Sequence, residues 1–379
     1  MTINRIFCVS FGLLGSLAAF AAERPVKFPT SLERPGFQAG IFDVGAAYVS
    51  GQPSEEALRK LAKEGVTMVV SLRTQEEMDD RKEVPFDEAA LLKELNISYF
   101  HIPMGPSNPE KVRQFADVMS KSEGKVLLHC TVAWRASYMW MAYLISNRKI
   151  SIDDAWRAGM AMNVTVDRSA LMLDSEISYG AAPHVDGARN PRGGVISKSG
   201  SKLTITSPRV VNPPSGDWRA FVMWDLGSIL NASQPDEKKL RELAEQSVKT
   251  IVNLRAPQEM EALKKEGFDE EAVANELGLK YVSVPLSNWK SFTPEALAKI
   301  AEAFETSDGK ILYHCASASR TTQAFVPYLV KYQGMSLDEA TKIGQAMRWN
   351  NMLEELLGAD LSYTLKPKIE KAAVGGQPE

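Results

Sequence analysis

"KILYHCASASRTT", residues 310–322, sets one cysteine between an apolar run of strand length and a run of helical character, with Arg320 five positions after Cys315. "KVLLHCTVAWRAS", residues 125–137, has the same layout around Cys130 and Arg135. Where a strand ends in such a cysteine and the chain turns into a helix, successive backbone N–H groups point inward and, with the helix dipole, form a concave anion site. Such a setting favours the thiolate, which is the nucleophilic form, and an arginine there offers a planar fork matched to two oxygens of a tetrahedral anion. The bland alternative is a buried structural thiol beside a surface arginine. His129 and His314, two of the four histidines in the chain, immediately precede the cysteines and weigh toward the first reading. As structural residues they would merely pack and hydrogen-bond.

The layout occurs twice because the chain around it does. At an offset of 182, "FDVGAAYVSGQPS" (42–54) aligns with "WDLGSILNASQPD" (224–236). The same offset pairs "MVVSLRTQEEM" (68–78) with "TIVNLRAPQEM" (250–260), and "PFDEAALLKELNISYFHIP" (85–103) with "GFDEEAVANELGLKYVSVP" (267–285). Past Pro285 the offset becomes 185, which pairs Cys130 with Cys315 and "SIDDAWRAGMAM" (151–162) with "SLDEATKIGQAM" (336–347). This pattern predicts a tandem duplication, with one domain at 30–175 and a second at 215–365. A linker or long loop is expected at 176–214 and a tail at 366–379.

Each unit alternates strand and helix. "VTMVVSL" and "VKTIVNL" are continuous apolar runs suited to strands covered on both faces. Asn108-Pro109-Glu110 and Thr293-Pro294-Glu295 each read as a cap, a first-turn proline and an acid at a helix start. The expected fold class is α/β, two tandem domains, each a mainly parallel central sheet flanked by helices.

The chain has 379 residues, 44% hydrophobic, with a net charge of −3 and no block of like charge, so nothing points to a nucleic-acid or membrane-surface binder. Residues 1–21, with Arg5 before an apolar run and Ala19-Phe20-Ala21 at its end, read as a cleaved signal peptide, which implies a periplasmic or secreted protein. Cys8 would leave with it. The remaining pair, Cys130 and Cys315, could form a structural disulfide in an oxidising compartment. Equivalent positions in separate domains seldom face each other, which argues against that bond. His101 and His184 join no ligand set, and no metal-binding spacing occurs, so neither metal nor cofactor is expected.

On "SGQP", "VVSLR", the "FDE" stretch and the His-Cys loop, each unit resembles the cysteine-phosphatase superfamily of dual-specificity and tyrosine phosphatases, and in particular its bacterial beta-lactamase-hydrolase-like phosphatase branch. The four residues between Cys and Arg match that branch and also the loop of rhodanese-type sulfurtransferases. The resemblance implies Cys315 as nucleophile, Arg320 as anion clamp, Ala316, Ser317, Ala318 and Ser319 as cradle, and Thr321 as a hydroxyl assisting the thiolate, with His314 in support. In the first unit Cys130, Arg135 and His129 hold the same places, with Thr131, Val132, Ala133 and Trp134 as cradle. Ala136 stands where the second unit has Thr321, which favours the second site.

Relatives carry glycine where this chain has Ala133 and Ala318; if that position needs a positive φ, alanine costs about 1 kcal/mol. They also place an aspartate general acid on a loop that here, in "HIPMGPSNPE" and "SVPLSNWKSFTPE", has none. Glu110 and Glu295 are the nearest acids, read mainly as helix-start residues, and Asp87 and Asp269 are more distant candidates. Arg73 and Arg255 would be substrate ligands or solvated strand ends. The implied function is a phosphatase acting on a phosphorylated small molecule or protein. A sulfurtransferase using a donor such as thiosulfate and a non-catalytic oxyanion- or phosphoprotein-binding module are the alternatives.

Overall fold

Each half of the chain is organised around the strand that precedes its cysteine. The computed structural model describes residues 25–105, 107–162, 164, 168–182, 194–213, 220–347, 352–357 and 359–366. In chain order the first half comprises β1 (Val26–Leu32), β2 (Ile41–Gly45), β3 (Ala47–Ser50), α1 (Glu55–Lys63), β4 (Val66–Ser71), α2 (Gln75–Asp79) and α3 (Glu88–Glu94). It continues with β5 (Ser98–His101), α4 (Pro109–Lys121), β6 (Lys125–His129), α5 (Trp134–Arg148), α6 (Ile152–Met160), α7 (Arg168–Leu173) and β7 (Glu176–Ala181). The second half repeats the order with β8 (Ile205–Asn212), β9 (Met223–Gly227), β10 (Ile229–Ala232), α8 (Glu237–Glu245), β11 (Val248–Asn253), α9 (Pro257–Lys265) and α10 (Glu270–Glu276). Then come β12 (Lys280–Ser283), α11 (Pro294–Glu305), β13 (Lys310–His314), α12 (Ser319–Gln333), α13 (Leu337–Gln345), α14 (Met352–Leu357) and β14 (Leu361–Lys366).

Two six-stranded sheets result, ordered β1-β2-β3-β6-β4-β5 and β8-β9-β10-β13-β11-β12. β3, β6, β4 and β5 are parallel, as are β10, β13, β11 and β12, in line with the apolar runs read as doubly covered strands. β2 runs antiparallel to both of its neighbours, β1 and β3, an addition that the strand–helix alternation did not announce, because the turn at Gly45 joins β2 to β3 directly. β6 and β13 lie inside the parallel part of each sheet, so the cysteine after each emerges between two neighbouring strand ends. Helix starts follow the local chemistry: Asn108 Oδ1 accepts the Lys111 N–H at 3.2 Å and Thr293 Oγ1 the Ala296 N–H at 3.2 Å.

The segment read as a linker, 176–214, differs from that expectation. β7 pairs with β14 in a two-stranded antiparallel ribbon, and β8 is the edge strand of the second sheet. Its Gly, Ser and Pro content masked two short stretches, of which β7 finds its partner at the far end of the chain and β8 pairs with the next strand, β9. β1 likewise starts before residue 30. Residues 1–21, His184 and the tail beyond Lys366 lie outside the described residues. One contiguous apolar core runs through both halves, from Val44 and Phe115 to Phe304 and Tyr328.

Candidate active site

The two cysteines are free, buried thiols, 1% exposed at Cys130 and 0% at Cys315, so no disulfide joins them. Each is held at its strand end by backbone pairing: the Cys130 N–H donates to the Ser50 carbonyl at 3.3 Å, and that of Cys315 to Ala232 at 3.4 Å. The loop then passes through Ala133 and Ala318, whose φ values of 63° and 64° are left-handed, and enters α5 and α12. The positive φ anticipated from the missing glycine is therefore real, and alanine carries its strain of about 1 kcal/mol. The neighbouring loop braces the cradle, with Gln52 N–H on the Thr131 carbonyl at 2.9 Å and Gln234 N–H on Ala316 at 3.3 Å. Gly51 is required there: a Cβ would sit 1.7 Å from the Gln38 carbonyl oxygen.

Arg135 and Arg320 turn their forks onto a glutamate. Arg135 donates through Nη1 and Nη2 to Glu77 at 2.7 and 2.6 Å, and Arg320 to Glu259 at 2.6 and 2.7 Å. Burial works against the charge on each guanidinium, but the glutamate and the adjacent cysteine raise its pKa above the ordinary arginine value. Burial likewise opposes the charge on Glu77, yet Arg135, the Thr74 N–H and the Thr131 hydroxyl hold its pKa at about 2. Glu259 is lowered by Arg320, the Ala256 N–H and Arg255 against the same opposition. In the first site Thr131 Oγ1 also donates to Glu77 at 2.9 Å, a bond the second lacks because Ala316 replaces it.

Behind each cysteine lies a second acid that the sequence reading missed. His129 Nε2 is 2.7 Å from Glu88 Oε1, and His314 Nε2 is 3.3 Å from Glu270 Oε2, with all four side chains fully buried. These are ion-pair contacts by distance, with angles outside ordinary hydrogen-bond geometry. Burial disfavours the charged forms of Glu88 and Glu270, but His129 with Gln52 and Arg73, and His314 with Gln234 and Tyr281, together outweigh it, so both pKa values fall below the usual carboxylate range. Gln52 Nε2 donates to Glu88 at 3.1 Å while its Oε1 accepts from Arg73 at 3.0 Å, and Gln234 links Glu270 to Arg255 in the same way, both at 2.7 Å. Arg73 also donates to the Glu77 carbonyl at 2.5 Å. A hydrogen-bonded chain through Gln52 and Arg73 thus connects Glu88, the acid against His129, to Glu77, which holds Arg135, and Gln234 and Arg255 connect Glu270 to Glu259 in the second site.

This corrects two expectations. Arg73 is 1% exposed, so it is no solvated strand end. In "FDE" the aspartates Asp87 and Asp269 cap α3 and α10, accepting the Ala90 and Ala272 N–H groups at 3.0 and 3.2 Å, while the next residue turns inward. The signal was present: Gln52, Glu77 and Glu88 all recur as Gln234, Glu259 and Glu270 at one offset.

The remaining residues stand as follows. The Thr321 hydroxyl is buried and donates to the Ala318 carbonyl at 2.9 Å, whereas Ala136 is fully buried without one. Val132 and Trp134 are exposed at 47% and 39%, so an apolar rim borders the first cradle. Ser319 accepts from Gln323 Nε2 at 3.2 Å in the second. Glu110 pairs with Arg113 at 2.9 Å on the first turn of α4, and Glu295 lies exposed on the first turn of α11, the helix-start roles expected of both. His101 Nε2 lies 2.6 Å from the Arg73 carbonyl. Among the described residues no cluster could hold a metal ion, and no helix is long and apolar enough to cross a membrane.

Residues 41–175 match the family model described as DSP-PTPase phosphatase fused to NAD+ kinase. The chain is 23% identical over 167 residues to a beta-lactamase hydrolase-like protein of Xylella fastidiosa, covering 44% of this chain and 38% of that one. It is 27% identical over 185 residues to human dual specificity protein phosphatase 9, covering 46% and 45%. The chain therefore spans less than half the length of these relatives. Among solved structures, a putative phosphatase from Shewanella putrefaciens is 27% identical, with a TM-score of 0.28, over 32% of this chain and 78% of that one.

Proposed function

We propose that this chain, whose residues 41–175 match a DSP-PTPase phosphatase family model, is an exported, cysteine-dependent hydrolase of a phosphate ester. The observation that carries the reading is the cysteine at the end of an interior parallel strand, followed by a left-handed turn into a helix N-terminus with the arginine fork beside it. The thiolate of Cys315 attacks phosphorus, the ester P–O bond breaks, and the leaving oxygen takes a proton. Water then hydrolyses the cysteinyl-phosphate, releasing inorganic phosphate and regenerating the thiol. Backbone N–H groups of residues 316–319 and the Arg320 guanidinium neutralise the oxyanion in both steps. His314, backed by Glu270, fixes the strand end that carries the sulfur. The second unit is the active one in this proposal, on the strength of the small side chains Ser317 and Ser319 at the cradle where the first unit has the bulkier Val132 and Trp134; the Thr321 hydroxyl donates to the Ala318 carbonyl instead of to the sulfur. The substrate is a phosphorylated small molecule or protein.

One observation favours a second reading: no acid lies between β12 and Thr293 to protonate a leaving oxygen. Sulfur transfer has no such need. Cys315 would break the S–S bond of thiosulfate, releasing sulfite, and pass the sulfane sulfur to cyanide as thiocyanate. The experiment compares wild type, Cys130→Ser and Cys315→Ser on an aryl phosphate and on thiosulfate with cyanide. Phosphate release lost in Cys315→Ser and kept in Cys130→Ser is the expected result. Thiocyanate formation installs the second reading, and tungstate binding without either activity installs a non-catalytic oxyanion module.

A further inference from the structure

α5 and α12, the helices that rise from the two cradles, are buried almost all round. In α5 every residue from Ala136 to Leu144 is buried, and in α12 every residue from Thr321 to Leu329 except Gln323. A helix at the surface of its own domain keeps a polar stripe, so these two require cover on every side. The sheet and the adjacent helices of the same unit supply part of it. The rest comes from the other half of the chain: α14, at the end of the second unit, packs along α5 and α4 of the first, while α7, at the end of the first, packs along α12 and α11 of the second.

The exchange is reciprocal and anchored. Immediately after the exchanged helices, β7 and β14 pair along their whole length from Leu361 opposite Ala181 to Lys366 opposite Glu176, and each then lies on the penultimate helix of its own unit. Tyr179 and Tyr363 meet edge to face at 5.9 Å, with Tyr179 stacked on Trp156 at 4.1 Å. Buried Glu354 on α14 accepts the Leu361 N–H at 2.9 Å and the Tyr363 hydroxyl at 3.2 Å, which locks the turn between helix and ribbon. Helices of six residues have little stability alone, so α7 and α14 are helical because of where they dock. Leu353 and Met172 are 0% exposed and Leu356 is 1% exposed, all within the shared core.

We propose that each anion cradle is positioned in trans: Leu353 and Leu356 of the second unit hold the helix behind Cys130, and Met172 of the first holds the helix behind Cys315. Each site is therefore braced locally by the end of the other unit, whatever reaction the two support. Both thiols are buried, so iodoacetamide alkylation of each, resolved by peptide mapping in the full-length chain, reports opening of its own loop and helix. Leu353→Ala is expected to speed alkylation of Cys130 at least about tenfold, equivalent to about 1.4 kcal/mol, and to leave Cys315 within about twofold. Met172→Ala should do the reverse, and the volume-conserving Leu353→Met should alter neither. Where Leu353→Ala gives no folded protein, Leu356→Val is read in the same way. Acceleration of both cysteines by the same factor, of Cys315 in preference to Cys130, or of neither, overturns the proposal.

Discussion

Removing the charge that holds Arg135 gives a test with a defined pH signature. In Glu77→Gln the side chain keeps its shape but loses the ionic part of its bonds to Arg135, at 2.6 and 2.7 Å. The native Glu77 pKa is about 2, against 4.5 for an unperturbed carboxyl, although burial alone would have raised it. At about 1.4 kcal/mol per pKa unit this corresponds to roughly 3 kcal/mol. The side chain is 32% exposed, and solvent screening reduces the expected contribution to about 1–2 kcal/mol. Because the folded pKa is the lower one, this stabilisation is fully present above about pH 4.5 and disappears as pH falls toward 2. Urea unfolding of wild type and variant at pH 7, 4.5 and 3 is the assay. The variant should be less stable by about 1–2 kcal/mol at pH 7, and the gap should narrow steadily toward pH 3. A gap that stays constant, or widens on acidification, would refute the assignment of Glu77 as an ionised clamp.

Neighbouring substitutions separate other roles. Ala318→Val should destabilise by about 2–4 kcal/mol in chemical denaturation, because a β-branched side chain does not tolerate φ near 64° in a closed core. Ala318→Gly should stay within about 1 kcal/mol of wild type, since relief of strain offsets the lost buried methyl. Asp269→Ala should cost little, as the loss of one solvent-exposed helix cap, whereas Glu270→Ala, one residue on, should cost about 3–5 kcal/mol by leaving His314 without its buried partner. Equal losses at positions 269 and 270 in a thermal melt would contradict the division of labour seen in "FDE".

The parts of this protein legible in its sequence are those governed by residues close together along the chain. The apolar runs ending in His129 and His314, the Asn108 and Thr293 caps and the Cys-to-Arg spacing each follow from local sterics and hydrogen bonding, and the two halves have the same order of elements. The left-handed turn at Ala133 and Ala318 stood only as a condition attached to the glycine that relatives carry there, and the backbone meets it.

What the tertiary structure alone decided joins residues far apart. Glu88 reads as one more acid at a helix start, and only the strand order, which places β6 between β3 and β4, brings it under His129. Glu77 reaches Arg135 across the same strand ends. The crossing of α7 and α14 has no local signal at all, because a short apolar helix can cover either of two equivalent surfaces and its own six residues are the same in both cases. Which surface it covers depends on the packing of the whole chain, a sum over contacts that no stretch of sequence contains by itself.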